Sequence, residues 1–473
     1  MNTPPPGRPA RPADATWLFG LFAAAFALSL ILHQIRWFGF EVVSPHFVVV
    51  VAALWTLLRP TSVVRFLTMA AAEVLSVALD MPDVGSHTLL VLVSCACMLT
   101  YAGWTTLRTR GLPKPGALFE RIGPFLRAQL LLVYAAAAVA KMNTAFFDGA
   151  VSCAVALSGQ VTWFDPKLLD GAWRVAPSIY GTVAIEVALP LLLAVPRTRL
   201  VGLALGGAFH TVLALAGNVP FSALALALYV AFLPADTPSR LRTLAAERAG
   251  LGRWARRARR WAGSRPLLPG LVACWLAAAI IVSSEPVLGH ALISNGTRLF
   301  LVALALSAGA LLALCLRGGP SARPSGSLRP GHPIFVAGIL VLAVNSLSPY
   351  LGLKTESSFT MFSNLQTERG AWNHAFIPEA VRIFTYQDKL VQVIDSNDPA
   401  LARRTADGNR VVRFELERYV RSHPGTSATY MPTALGDAAA RSTSSESAGS
   451  PATPIVDRLV KFRDLRAPER RGC

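Results

Sequence analysis

Charge is scarce in this chain, and acid is scarcer than base. Charged side chains make up 15 % of its 473 residues, with 27 Asp and Glu against 45 Lys and Arg, whereas a soluble domain carries about 25 %. So few charges exclude a wholly water-exposed fold of this length. Cysteine is sparse too, six in all. Cys95 and Cys97 stand two apart in one apolar run, Cys153, Cys274 and Cys315 are scattered and Cys473 is terminal, so the spacing fits neither a metal site nor a disulfide ladder. They are expected to be small buried hydrophobes. HExxH, phosphate-loop and dinucleotide signatures are all missing, which removes the commonest motif-borne chemistries. The net charge of +18 would suggest nucleic acid on a soluble domain. Here much of it lies between apolar runs, where basic residues fix membrane orientation, and no nucleic-acid partner is expected.

Apolar runs are what the sequence has in quantity, with 53 % hydrophobic residues. Stretches 177–195 and 200–217 are apolar nearly all round, as membrane helices are and amphipathic helices are not. Nineteen helical residues rise about 28 Å, close to the hydrocarbon thickness. The expected fold class is an all-α polytopic membrane protein with about eleven spans: 17–34, 47–58, 66–79, 88–106, 125–141, 177–195, 200–217, 219–233, 268–282, 299–316 and 333–349. The first run is too long for a signal-peptide core and is expected to be retained.

Alternate loops separate by charge. One set holds Arg59 and Arg65, then Arg108, Arg110, Lys114 and Arg121 against Glu120, then Arg197 and Arg199, then nine arginines against two acids between 234 and 267, then Arg317, Arg323 and Arg329. The other holds Asp80 and Asp83, then Asp148, Asp165 and Asp170 against Lys167 and Arg174, then Glu285 against Arg298. The asymmetry predicts a multi-pass protein, in a bacterial cell membrane, with a cytoplasmic N-terminus and an extracytoplasmic C-terminal region. Residues 1–16 are expected to be disordered, 17–349 to form the membrane domain and 350–431 to form a small α+β region with short strands near 391–394 and 411–414 and a helix at 414–422. The Ser-, Ala- and Thr-rich tail 432–473 is expected to be disordered.

Lys141 ends the apolar run 125–140 and is the first candidate for chemistry, because a charge at the mouth of a membrane helix must be paired, snorkelled or used. One reading is a snorkelling anchor that sets helix depth. The other is a general base, since desolvation favours the neutral amine that a base needs. Glu186 falls near the centre of the sixth span and must be protonated, paired or facing a wet cavity. His210 lies ten residues into the seventh, as a proton relay or a helix-bridging hydrogen bonder. Asn345 is near the end of the last span. Gly202 and Gly206, four apart, suit close helix packing. The polar and aromatic stretch 345–374 follows, in which Tyr350, Phe359, Met361, Phe362, Asn364 and Trp372 are placed to line or close a pocket, or to form an ordinary interfacial segment.

At YAAAAVAKMNTAFFDG (134–149) and EVALPLLLAVPRTRLVGLALGGAFHTVLALAG (186–217) the chain resembles the HTTM superfamily, which contains vitamin K-dependent gamma-glutamyl carboxylase. The match is clearest over about 130–229, with weaker similarity back to Trp17 and forward through SPYLGLKTESSFTMFSNL (348–365). The resemblance implies that Lys141 is the base that deprotonates a reduced, vitamin K-like quinone. In the carboxylase the oxygenated anion then removes a glutamate γ-proton, carbon dioxide adds, and the quinone leaves as an epoxide. Phe209 and His210 match a Phe-His pair of the family, and Tyr134, Asn143, Glu186, Tyr350, Phe359, Met361 and Asn364 become substrate-binding candidates. The chain departs from the pattern in having Asn143 where the carboxylase has aspartate, and Gly159, Gln160 and Val161 where it has a histidine. It also has too few residues after the last span for a large lumenal domain, which argues against a protein substrate.

The expected function is therefore a carboxylase- or epoxidase-like membrane enzyme that uses Lys141 as base on a quinol or another lipid-soluble substrate, with membrane lipids as partners and no metal. The alternative is a non-catalytic scaffold or lipid-handling component. A transporter would call for an inverted repeat or paired broken helices, and neither is evident in the sequence.

Overall fold

The computed structural model describes residues 12–38, 44–161, 171–247, scattered positions between 295 and 313, 327–405, 408–433, 439–448 and 454–465. Helices dominate. They are α1 (Pro12–Phe38), α2 (Pro45–Leu58), α3 (Val63–Asp80), α4 (Ser86–Thr109), α5 (Pro115–Ala140), α6 (Thr144–Phe147), α7 (Cys153–Gln160), α8 (Val175–Ala194), α9 (Arg199–Leu215), α10 (Val219–Tyr229), α11 (Thr237–Glu247) and α12 (Pro333–Leu347). Four stretches among the described residues are long and apolar enough to cross a membrane: Pro12–Ile35, Ser86–Thr109, Pro115–Ala140 and Ala172–Ala194. A fifth is reached if Val219–Phe232 and Thr237–Thr243, bent by 83°, count as one broken span. Helices α2, α9 and α12 are apolar but shorter. The expected span 268–282 lies outside the described residues, as does most of 299–316.

The chain divides into two compact units. The first comprises Met1–Ala78, Val91–Leu132 and Val187–Leu340. Its centre is α1, which packs along α2 and α10. Phe19, Phe22 and Phe26 repeat at helical spacing on α1 and meet Phe66 at centroid distances of 5.4, 5.8 and 6.1 Å, so the apolar run of α1 is spent on protein contacts as well as on hydropathy. Asp14 sits in its first turn, where the helix dipole favours an acid, and is held by Arg242 at 2.5 Å. Gly202 packs on Leu192 and Leu193, and at Gly206 a β-carbon would collide with the Tyr229 hydroxyl, so both glycines serve close helix approach.

The second unit comprises Leu79–Leu90, Val133–Glu186 and Val341–Cys473. It holds a four-stranded antiparallel sheet in the order β2-β1-β3-β4, formed by β1 (Leu390–Ser396), β2 (Val411–Val412), β3 (Ser427–Pro432) and β4 (Arg441–Ser444). Val391 and Val393 of β1 point to one side, where they join Leu401, Leu416, Val420 and Tyr430 in a core, as a period of two requires. A bulge lies between Val393 and Asp395. Three short helices accompany the sheet: α13 (Pro399–Thr405), α14 (Arg413–Ser422) and α15 (Pro454–Leu459). The expected strands and the 414–422 helix correspond to β1, β2 and α14.

Two expectations are corrected. The tail 432–473 is not disordered throughout, for β4 pairs with β3 from Ser427↔Ser444 to Tyr430↔Arg441, and Val460, Phe462 and Leu465 are buried against Leu390 and Val412. Composition judged the tail poor in core residues. A strand edge supplies main-chain hydrogen bonds whatever the side chains, and three well-placed apolar residues complete the core. Cys153, expected to be an isolated buried thiol, is disulfide-bonded, while Cys95 and Cys97 are free. Its partner lies outside the described residues, and chain spacing says nothing about proximity in space.

Candidate functional site

Helix α5 stops at Lys141. The Lys141 N–H is shared between Ala137 O and Ala138 O at 3.2 Å each, and Met142 N–H turns back to Val139 O at 3.0 Å, which tightens the last turn. Asn143 then caps α6, accepting the Phe146 N–H on Oδ1 at 2.9 Å. Its amide nitrogen donates twice, to Ala140 O at 2.8 Å and to Ser363 O at 2.6 Å. Asparagine is the residue that can do both, because aspartate has no donor. Asn143 is thus the joint between the end of α5 and the later loop.

Lys141 does not snorkel to solvent. It is 3 % exposed, and its Nζ lies 2.8 Å from Oε2 of Glu186, itself 7 % exposed. The approach lacks the alignment of a directed hydrogen bond and is a buried ion pair between the end of α5 and the middle of α8. The Phe146 ring centroid is 5.8 Å from Nζ, a cation–π distance. Of the three fates open to Glu186, pairing is the one adopted. Tyr134 is buried on α5 seven residues before Lys141, hence on the same helix face.

The segment 345–377 closes over the α5 end. Thr144 N–H donates to Asn373 O at 3.1 Å, and Ala375 N–H to Met142 O at 2.8 Å. His374 contacts Val139 O through Nε2 at 3.0 Å, while its Nδ1 accepts from the Phe376 and Ile377 N–H groups. That pattern fixes the neutral Nε2–H tautomer, and burial, which lowers its pKa below the usual histidine value, favours the same state. Tyr350 packs with Ala140, Leu365, Trp372 and Ile377, its ring 5.3 Å from His374. Its hydroxyl is buried with no hydrogen-bond partner among the described residues, and desolvation raises its pKa, so it remains a proton donor.

Ser357, Phe359, Phe362 and Asn364 all have left-handed φ, between 52° and 58°. For residues other than glycine this costs on the order of 1 kcal/mol each. The turns are held from several sides. Asn345 Nδ2 donates to Ser357 O at 2.7 Å, Phe359 N–H donates to Ser86 Oγ at 3.2 Å, and Asn364 bonds Cys153 N–H and Val151 O at 2.8 and 2.9 Å. Strained backbone of this kind persists only where the surrounding contacts over-determine it. Asn364 and Phe359 therefore shape this loop, and Met361 lies half-buried within it.

A cavity of about 430 Å³ is lined by Phe362 and Asn364 together with Glu368, Arg404, Arg463 and Asp464. Neither Lys141 nor Glu186 lines it, and its charged walls suit water or a hydrophilic ligand better than an apolar one.

His210 belongs to the first unit. It is fully buried, with the rings of Phe209, Phe221 and Tyr229 at 5.5, 5.3 and 5.9 Å, an environment that fits a packed core histidine. Sequence reasoning missed Glu73, which is buried and accepts from Gln34 Nε2 at 3.0 Å, and Arg127, which donates to Ala231 O and Ser327 O at 2.6 and 2.7 Å. Both are ionisable groups inside apolar helices, the signal that singled out Glu186. It also named the 345–374 segment without seeing that Asn373 and His374 lock it to α5. No protein-family model, no characterised protein and no solved structure matches this chain.

Proposed function

We propose that this chain is a membrane enzyme of the HTTM type in which Lys141 and Glu186 act together on a hydroxyl of a lipid-soluble substrate, a quinol being the best fit. The buried Lys141–Glu186 contact at 2.8 Å is the observation that carries the reading. A lysine paired with a carboxylate has no lone pair to offer, so the base is the pair: Glu186 is the acceptor for the substrate proton, and Lys141 holds the oxyanion that is left. Resemblance alone pointed to a lone lysine. The orphaned Tyr350 hydroxyl, beside the cluster that covers Ala140, supplies a donor for a second oxygen on such a ligand. When bound, a reduced quinone would supply the redox chemistry. The protein would supply an apolar wall, a proton acceptor and two oxygen ligands.

The orientation proposed is eleven crossings with a cytoplasmic N-terminus and the Lys141 end of α5 outside. Charge asymmetry supports it, and so does the disulfide at Cys153, twelve residues past Lys141, since such bonds persist in oxidising compartments.

The experiment is the lipid extract of the purified protein, read by mass spectrometry, together with aerobic consumption of a reduced naphthoquinone in proteoliposomes. Wild type should carry a naphthoquinone above its membrane abundance and consume the quinol, and Lys141→Met and Glu186→Gln should each abolish consumption. Bulk phospholipid alone in the extract, with equal consumption by all three proteins, would leave the pair as a structural staple and favour the scaffold.

A further inference from the structure

Between Phe376 and Phe384 the usual arrangement of a water-facing loop is reversed. Phe376 is 78 % exposed, Ile383 71 %, Phe384 39 % and Val381 38 %. The one cation of the same stretch is turned inward, for the Arg382 side chain is only 10 % exposed and is paired with Asp388 and, at 3.2 Å, with Glu379, whose own side chain is 42 % exposed. Four large apolar residues displayed within nine positions of the chain are the kind of exposed cluster that marks an interaction surface.

The display is built, not slack. Ile383 and Phe384 both donate their N–H groups to Leu351 O, at 3.1 and 2.9 Å. Gly352, at φ 78°, is where a β-carbon would run into Phe384 O, so glycine alone admits this approach. At the other end, Trp372 Nε1 donates to Ile377 O at 2.7 Å, and His374 takes the Phe376 and Ile377 N–H groups.

What covers the patch follows from where it is tied. Leu351 lies four residues beyond the last residue of α12, whose outward stripe of Val341, Val344 and Leu347 is 54, 57 and 52 % exposed. An apolar helix with a bare apolar stripe in a membrane protein has lipid as its solvent, and the patch is tied by its backbone at Ile383 and Phe384 to Leu351, just past the end of that helix. Arg369, 4.0 Å from Asp388 yet 70 % exposed on its side chain, keeps donors on its open side of the kind that meet lipid phosphates.

We propose that Phe376–Phe384 is a membrane-inserting wedge whose apolar side chains enter the headgroup–acyl boundary of the leaflet at the α12 C-terminus, seating the second unit on the bilayer. The proposal rests on membrane association and is independent of any role for Lys141.

The test places a genetically encoded coumarin amino acid at position 383 in the full chain, reconstituted in vesicles of phosphatidylcholine with or without acyl-brominated phosphatidylcholine. The same fluorophore at Ile394, 55 % exposed on β1, is the reference. Loss of most of the fluorescence at 383, with little loss at 394, is expected. Quenching of 383 by aqueous iodide and not by brominated lipid would overturn the proposal in favour of a solvent-exposed loop. Shielding from both quenchers would overturn it in favour of a protein partner, with a second copy of this chain revealed by cross-linking. Charge insertion supplies an independent arm: Phe376→Asp together with Val381→Asp should cut the brominated-lipid quenching of the fluorophore at 383 and raise its quenching by iodide, and no change in either would count against the wedge.

Discussion

Asn143 shows how much one atom matters at a helix end. Its amide donates to Ala140 O and Ser363 O and accepts from Phe146 N–H. Asn143→Asp keeps the cap but turns two donations into a carboxylate facing two carbonyl oxygens. A loss of about 2–4 kcal/mol is expected from the unpaired groups, read as a lower thermal midpoint in detergent, with Asn143→Ser intermediate. For the ion pair, single removal strands a buried charge, so Lys141→Met or Glu186→Leu should each destabilise by about 3–5 kcal/mol, whereas the double apolar variant should recover most of it. Thermal unfolding of the four proteins completes the cycle, and a double variant as unstable as the singles would show that the pair is not the coupled unit. Lys354 is a pH reporter. Burial lowers its pKa from 10.5 to about 8, so between those values the unfolded state holds more protons and stability must rise with pH; below about 8 the penalty for burying the charge is constant. Lys354→Met should remove that rise and stabilise the protein near neutral pH, in unfolding scans at about pH 7 and about pH 10.

At the scale of elements, the close passage of α9 and the end of α10 depends on Gly206, because no β-carbon fits against the Tyr229 hydroxyl. Gly206→Ala should displace Tyr229 and its edge contact with His210 at a cost of about 1–3 kcal/mol, and removal of the obstruction in a Gly206→Ala, Tyr229→Phe variant should restore part of it. The 357–364 turns were invisible in the sequence for a clear reason: Ser357, Phe359 and Phe362 are not residues that ask for left-handed backbone. Their conformation is imposed by Asn345 at the end of the preceding helix and by Ser86 and Asn143, which come from distant parts of the chain. Local propensity lost to tertiary contacts there, and likewise in β4, whose Arg-Ser-Thr-Ser sequence carries no strand signal of its own.

At the scale of the whole molecule, the division into a membrane domain and a following cap is not linear in the chain. The ends of α3, α4, α5 and α8 are grouped with the C-terminal region in the second unit, so residues 350–465 are built around membrane-helix ends and not appended to them. A truncation before Tyr350 should therefore leave Asn143 and Ser86 without their partners and yield a chain cleaved more readily by protease near 141–153 than the full protein; equal resistance would show that the helix ends stand alone. Apolar composition, the helical class and the oddity of Lys141 and Glu186 were fixed by the sequence itself, because transfer out of water and the expense of charge in lipid act on residue type and run length alone. That those two charges meet, that Asn143 must be asparagine, that Cys153 is bonded and that Phe376–Phe384 faces outward were decided only by the tertiary structure. Pairing, strain and exposure depend on which segments the fold brings within a few ångströms, and distance along the chain does not encode that.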